Sequence, residues 1–411
     1  MEDLKRIAFM CHPYHRGGVT RWMADAAVAA AEMGYEVYFV TTTPVKPFHS
    51  AGGRETMAGL LQPFTGKVKL VSQPVNFLFE FGTEAYRAGI YRNLVIKQVP
   101  AGTPIIVSDD GAVWMAAASV ADKYPMAGVL HGDQDYYSER AIKYRDQLSA
   151  CICVSHRVKG RVLRQWPGFP QRIMEVIPCG VVLPQFNPQQ RSDDTARLVF
   201  IGRLTDYEKR AEDLVTIAAT LRQQGFAFHL DIVGNDEASK VAFTDRFKEH
   251  GVADAVTFHG WQARPYIQAL LNRSDIVLLT SNSEGMPLVM MEALASGCGF
   301  TGTRVSGIED YEQHAMAQQC VAVYAVGEVA DAAKKITQLA AVPRGERQQA
   351  VRRLAEAEFS MQVCLQRYLA KLSTMDSVLP APAVLSTPTR TILQSKLLAL
   401  ARYMKVSVRG K

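Results

Sequence analysis

Residues 281–299 read SNSEGMPLVMMEALASGCG, and they follow an unbroken apolar run, Asp275–Thr280 (DIVLLT). A short apolar run without alternation suits a strand buried on both faces of a parallel sheet. After Pro287 the apolar residues fall at helical spacing, and Gly297 stands where a helix would stop. The unit is therefore strand, turn, helix. Glu284 lies on the turn, where free backbone N–H groups and the helix dipole favour an anion. Glu292 lies about two turns further along, at ~1.5 Å per residue. Such a carboxylate pair can hold the two ends of one extended ligand. Spacing alone fits equally well a surface Glu and a helix Glu in an ordinary α/β unit.

The same rhythm runs outward in both directions. Arg6–Cys11, Glu36–Thr41, Lys67–Ser72, Pro104–Ser108, Ala127–Leu130, Ala150–Val154 and Met174–Ile177 read as strands, with helical patterns between most of them. That alternation implies a parallel sheet covered on both faces. It breaks at Pro178–Arg197, where three prolines, polar residues and charges read as a linker. A second run follows. Its strands are Leu198–Ile201, His229–Val233, Val256–Phe258, Asp275–Thr280, Gly299–Thr301 and Val321–Val323. Its helices are Ala211–Gln224, Pro265–Arg273, Leu288–Ala295, Glu328–Ala340 and Glu346–Ala357. The expectation is α/β, with two doubly wound Rossmann-like domains, 1–185 and 196–358, facing each other across a central cleft. Ligands of such sheets bind beyond the carboxyl ends of the strands.

At 411 residues the chain is long enough for two domains, and 48% hydrophobic with 21% charged residues is ordinary for a soluble protein. No apolar stretch reaches 18 residues, and the start, MEDLKRIAFM, does not read as a signal peptide. Seven scattered cysteines show neither metal-ligand spacing nor a disulfide framework, which suggests a reducing, cytoplasmic setting. The net charge is +6, and +5 of it lies from Asp376 onward, where six Lys or Arg meet one acid. A basic tail on a nearly neutral body argues against a nucleic-acid partner.

The segment EGMPLVMMEALASG closely resembles the signature of the retaining glycosyltransferases of family 4, a Glu, seven residues, then a second Glu. The resemblance spans roughly Arg6 to Lys371 and implies the GT-B fold. It implies that Glu284 contacts the donor sugar and that Glu292 holds the ribose hydroxyls of the nucleotide. The turn Gly285, Met286, Pro287 and Leu288 would supply N–H groups to the diphosphate and sugar. It also implies a final helix returning to the first domain, for which residues 359–375 are the candidate.

Other segments bear on the same site. Phe200–Arg210 (FIGRLTDYEKR) sets Gly202 just past a strand, with Arg203 and Lys209 at the same mouth. Fixed cations stabilise the charge of a departing diphosphate, although most Arg–Lys pairs are simply solvated. The pattern is similar to the family's G-R-L followed by Lys-Gly, with Arg210 where the family has Gly. Cys11–Val19 (CHPYHRGGV) resembles the family's Gly-Gly loop at Gly17 and Gly18, with His15 and Arg16 as added charge; a turn that needs glycine is the plain alternative. His131, in VLHGD, matches a family His that contacts the donor sugar, and Asp133, Gln134, Asp135 and Tyr136 are acceptor-side candidates. Asn235 and Gln262 could hydrogen-bond a base, Trp261 could stack or simply pack, and Ser281–Asn282–Ser283, close to Glu284, would line the donor pocket.

From 376 to 411 a Pro-rich linker leads into a segment with Leu393, Leu397, Leu400 and Met404 at helical spacing and only basic charges. That suits an interfacial helix on an anionic membrane, and equally a helix docked on protein. The sequence thus points to a metal-independent, cofactor-free, retaining hexosyltransferase. It would take a nucleotide-sugar, a UDP-sugar before a GDP-sugar, to a glycan or glycolipid hydroxyl in surface polysaccharide or lipopolysaccharide assembly. The alternatives are a nucleotide-sugar epimerase on the same fold and a catalytically silent scaffold for a partner transferase.

Overall fold

A computed structural model describes residues 5–14, 17–45, 55–186 and 194–375. His15, Arg16 and the whole tail from Asp376 lie outside the described residues. The chain divides into two compact units. The described parts of residues 1–154, 158–177 and the chain from Cys364 form the first, and residues 155–157 with 178–363 form the second.

In the first unit the strands are β1 (Arg6–Met10), β2 (Glu36–Val40), β3 (Thr43–Pro44), β4 (Val68–Val71), β5 (Pro74–Val75), β6 (Ile105–Val107), β7 (Met126–Leu130), β8 (Leu148–Cys153) and β9 (Met174–Val176). Seven of them form one sheet in the order β4-β2-β1-β6-β7-β8-β9. All pairings in it are parallel. β3 and β5 make a separate two-stranded ribbon. β7 and β8 are buried at every position, as covering on both faces demands. Trp22 and Trp114 are 1% and 0% exposed and anchor the core. The helix Met361–Ser373 begins in the second unit, and from Cys364 its residues belong to the first, where the Tyr368 ring lies 5.4 Å from Trp22.

The second unit holds β10 (Ala196–Ile201), β11 (Phe228–Val233), β12 (Val256–Gly260), β13 (Ile276–Leu279), β14 (Gly299–Thr303) and β15 (Val321–Tyr324), in the order β12-β11-β10-β13-β14-β15, all parallel. In both sheets the first strand lies inside and the order reverses beside it, between β1 and β6 and between β10 and β13. Those reversals are the topological switch points, where the loops beyond the carboxyl ends part and leave room for a ligand.

The helix Glu237–Glu249 was not among the expected elements. Only Phe243 and Phe247 of its thirteen residues are buried, so it carries too thin an apolar stripe to announce itself. The linker segment Pro178–Phe186 is packed onto the second unit. Val181 exchanges backbone hydrogen bonds with Phe359 and Met361, and the Phe186 ring lies under the Arg352 guanidinium.

Candidate active site

In the second unit the loops after β10 and β13 flank the switch point. The first ends in the short helix Asp206–Lys209, the second in the helix Leu288–Ala295. Three bonds zip them together. Thr280 Oγ1 donates to the Lys209 carbonyl at 2.5 Å, the Asn282 N–H to the Glu208 carbonyl at 2.9 Å, and Asn282 Nδ2 to the Tyr207 carbonyl at 2.8 Å. Lys209 Nζ is thereby held 2.5 Å from Glu284 Oε1, and Ser281 Oγ donates to the same oxygen at 2.6 Å. The lysine and glutamate side chains are only 20% and 14% exposed, so losing either partner would strand a poorly solvated charge.

The loop after β14 supports this turn from below. Ser306 Oγ donates to the Gly285 carbonyl at 2.9 Å. Gly307 has φ +78°, and a Cβ there would stand 2.5 Å from that same carbonyl, so glycine is required on both counts. The helix Leu288–Ala295 starts after Pro287; the Met290 N–H donates to the Pro287 carbonyl at 3.0 Å, which leaves the Leu288 and Val289 N–H groups without intrahelical acceptors. Glu292 lies on it, half-buried, with Arg264 Nη2 3.8 Å from its Oε1. The first cation, Arg203, is exposed and ion-paired to Glu208. Ser283 is exposed beside Glu284, and Met286 and Pro287 are buried.

The loops after β11 and β12 are tied to each other. Asn235 is 3% exposed; its Oδ1 accepts the Gly260 N–H at 3.1 Å and its Nδ2 donates to the Asp236 carbonyl. Its amide ties two loops together, as a buried amide finds partners within the protein. Gln262 Nε2 donates to the His259 carbonyl at 2.6 Å. Trp261 is 69% exposed, which removes the packing alternative and leaves its face open to stack.

In the first unit, Gly17 precedes the helix Gly18–Glu32 with φ +137° and ψ −157°, a region essentially reserved for glycine. His131 follows β7 and is 9% exposed. Its Nδ1 lies 2.7 Å from Ser108 Oγ, while Ser108 Oγ also donates to the Val129 carbonyl at 3.0 Å. The single hydroxyl proton is spent on the carbonyl, so Nδ1 must carry the imidazole proton. Nε2 is then a bare acceptor, buried and without a hydrogen-bond partner among the described residues. Burial pushes the His131 pKa down to about 3, so the ring is neutral at physiological pH. Trp22 packs edge-on against it, with ring centroids 4.9 Å apart.

Asp133 and Asp135 are both engaged by Arg161, at 2.5 and 2.8 Å, and Tyr136 stacks under Arg140 while donating to the Asp109 carbonyl. Gln134 precedes the helix Asp135–Lys143 without a side-chain cap. The sequence itself points to Ser281, with Asn282 and Ser283, as lining the donor pocket; sequence reading missed Ser108. The available signal was a hydroxyl residue just past the carboxyl end of a strand, in SDD at 108–110.

Residues 195–341 match the family model described as Glycosyl transferases group 1, and residues 16–185 match Glycosyltransferase Family 4. A putative colanic acid biosynthesis glycosyltransferase, WcaL of Escherichia coli K12, is 25% identical over 53% of this chain and 59% of its own length. The chain spans less than two thirds of the curated relatives it matches. Among solved structures, the lipopolysaccharide outer core galactosyltransferase WaaB in its apo form superposes with a TM-score of 0.67 at 17% identity, over 90% of this chain and 99% of that one. HepE of Anabaena, in complex with UDP and glucose, gives 0.65 at 15% identity over 90% and 100%. At these identities the two structures establish the fold, GT-B with two Rossmann-like parallel sheets.

Proposed function

We propose that the chain is a glycosyltransferase of the GT-B fold, a retaining hexosyltransferase using a UDP-sugar; the two family matches support the transferase reading. The Lys209–Glu284–Ser281 cluster at the switch point of the second sheet, with Glu292 along the next helix, carries this reading. A charged network shut behind zipped loops suits a site where charge must be met by fixed groups. Glu292 would take the ribose hydroxyls. Lys209 and Arg203 would meet the diphosphate, with Gly285, Met286 and Leu288 of the turn donating their N–H groups. Glu284 would position the sugar. In the reaction the bond from the anomeric carbon to the phosphate oxygen breaks. A bond to the acceptor oxygen forms on the same face, and the acceptor proton passes to the leaving phosphate. His131, neutral and protonated on Nδ1, would accept a hydrogen bond from a substrate hydroxyl through Nε2.

The names of the relatives support an acceptor in surface polysaccharide or lipopolysaccharide assembly. Among the described residues no helix is long and apolar enough to cross a membrane. The basic tail would hold the enzyme on an anionic leaflet, and deleting 376–411 should release it from anionic vesicles while sparing donor binding. The deciding experiment is a thermal-shift screen of UDP- and GDP-sugars, followed by NMR assignment of the product anomer with the best donor. A donor at 100 times its Kd should stabilise by ~2.7 kcal/mol. EDTA should leave turnover unchanged. No stabilisation by any nucleotide-sugar, or an inverted anomer, would sink the reading.

A further inference from the structure

The strand β12 is irregular at its carboxyl end. Phe258 pairs with Ile232 and Gly260 with Val233, so His259 is an extra residue against β11. Such bulges are rare between parallel strands, and they re-aim a side chain. Gly260 follows with φ +66°, a left-handed conformation suited to glycine.

The loop from His259 to Gln262 is tied down on several sides. His259 Nε2 lies 2.6 Å from Asp231 Oδ1 on β11, and its Nδ1 lies 2.7 Å from the Tyr266 hydroxyl on the helix Arg264–Asn272. The carboxylate only accepts, so Nε2 carries the proton. In the neutral ring Nδ1 is then bare and accepts the Tyr266 O–H. His229, 3.8 Å from the same carboxylate oxygen, is engaged by Thr257. Gly260 donates its N–H to Asn235 Oδ1, and its carbonyl accepts the Gly234 N–H at 2.8 Å. Gln262 Nε2 donates to the His259 carbonyl. The bond between Tyr266 and His259 thus staples the loop across its base. Yet the loop holds Trp261 out, 69% exposed. A large ring left in water on a firmly held loop is an anchor prepared for a flat partner. The helix that carries Tyr266 also carries Arg264, whose Nη2 is 3.8 Å from Glu292 Oε1, so the staple sits beside the carboxylate assigned to the ribose.

We propose, resting on the nucleotide-sugar reading of this unit, that Asp231, His259 and Tyr266 are positioning residues for the nucleobase. They act through Trp261, holding its indole where the base of the bound nucleotide stacks. Without the staple the loop would sample other conformations, and part of the stacking free energy would go into ordering it.

The test is calorimetry with UDP on the full chain, with tryptophan emission as a second readout. Trp261→Ala should weaken UDP binding roughly tenfold, since stacking of the base is lost. Tyr266→Phe and His259→Gln should each weaken it about three- to tenfold, the usual worth of one hydrogen bond. His259→Gln keeps a donor for Asp231 and loses the acceptor for Tyr266. Tyr266→Phe removes only a hydroxyl, from a residue that is 37% exposed, so it should fold as wild type does. Either change added to Trp261→Ala should cost nothing more, because both residues act only through that indole. UDP should quench the emission of wild type, and at saturation quench that of Tyr266→Phe less. Unchanged UDP affinity in both variants would overturn the proposal, and so would losses that add to that of Trp261→Ala. In either case wild type still binds UDP and the donor reading stands, whereas a wild type that binds no UDP sinks both.

Discussion

The mouths of the two sheets are built on the same topology and solve opposite electrostatic problems. In the second unit, Lys209 and Glu284 face each other as a partly buried ion pair, with Arg203–Glu208 beside it and Glu292 within reach of Arg264. In the first, the group at the corresponding end of β7 is a buried neutral histidine whose proton is fixed by Ser108. The difference teaches what each mouth can do. Fixed charges stabilise charge that develops elsewhere, and a neutral ring with one bare nitrogen can only recognise and orient a hydroxyl.

The comparison breaks first at Lys209. Lys209→Met should lower turnover by roughly 10²–10³-fold, the usual cost of removing one electrostatic stabiliser. The Kd for UDP should move much less, since leaving-group charge peaks in the transition state. Glu284→Gln should lower turnover while sparing UDP, which ends before the sugar. If both variants keep near-wild-type turnover, the charged mouth is structural and the contrast between the units loses its meaning.

Glu292 sharpens it at the next level. Glu292→Ala should weaken UDP and UDP-sugar alike, by about 1.5–3 kcal/mol for lost charge-assisted hydrogen bonds. Calorimetry with UDP alone is the check. An unchanged Kd would free Glu292 from the ribose and leave it to Arg264.

His131 tests the neutral side. His131→Gln keeps an acceptor near Nε2, and should lose less turnover than His131→Leu, which should lose roughly tenfold. The pH dependence has a definite sign. The folded-state pKa is about 3 against an ordinary 6.5, so the unfolded chain binds a proton first as pH falls. Stability present above pH 6.5 is therefore lost between 6.5 and about 3, by at most about 1.4 kcal/mol per pH unit. His131→Leu should flatten that part of the stability profile. A kinetic pKa near 6.5 that vanishes in His131→Gln would mean that the ring titrates during turnover, contrary to its fixed tautomer.

Much of the architecture was legible because parallel strands buried on both faces must be continuous apolar runs. The stretches at β1, β8 and β13 could hardly be anything else. The helix Glu237–Glu249 was not legible, since two phenylalanines four residues apart bury it and the rest is solvated. Within the site, Glu284 and Lys209 could be named from the resemblance of their segments to the family's motifs, but their pairing across 75 positions could not. Likewise the proton on His131 is set by Ser108, 23 residues away in the chain, through a bond that only the packed sheet creates. The bond from the Gly260 N–H to Asn235, 25 residues apart, is hidden from the sequence for the same reason.

The smallest expected effect concerns the one place where this chain departs from the signature it resembles. Arg210 stands where that pattern has glycine, and it is the only non-glycine residue with positive φ among the described residues, at φ 45° and ψ 52°. The left-handed conformation costs an ordinary residue roughly 1–2 kcal/mol. It is needed here because Lys209 must end one helix, with its carbonyl held by Thr280, while the next helix starts at Ala211. Arg210 offsets the strain through its own side chain. Nε and Nη2 reach Asp213 Oδ2 and Oδ1 at 2.6 and 3.0 Å, and the carboxylate holds the guanidinium above its ordinary pKa. Two substitutions separate the terms. Arg210→Gly removes strain and ion pair together and should stay within about 1 kcal/mol of wild type. Arg210→Ala removes only the ion pair, keeps the strain, and should be the less stable of the two despite alanine's smaller entropy cost. Urea denaturation of both variants decides the order, and both should turn over close to wild type if Thr280 alone keeps Lys209 in place. An alanine variant as stable as the glycine one would mean that position 210 is not left-handed in solution, and that the loop carrying Lys209 is shaped some other way.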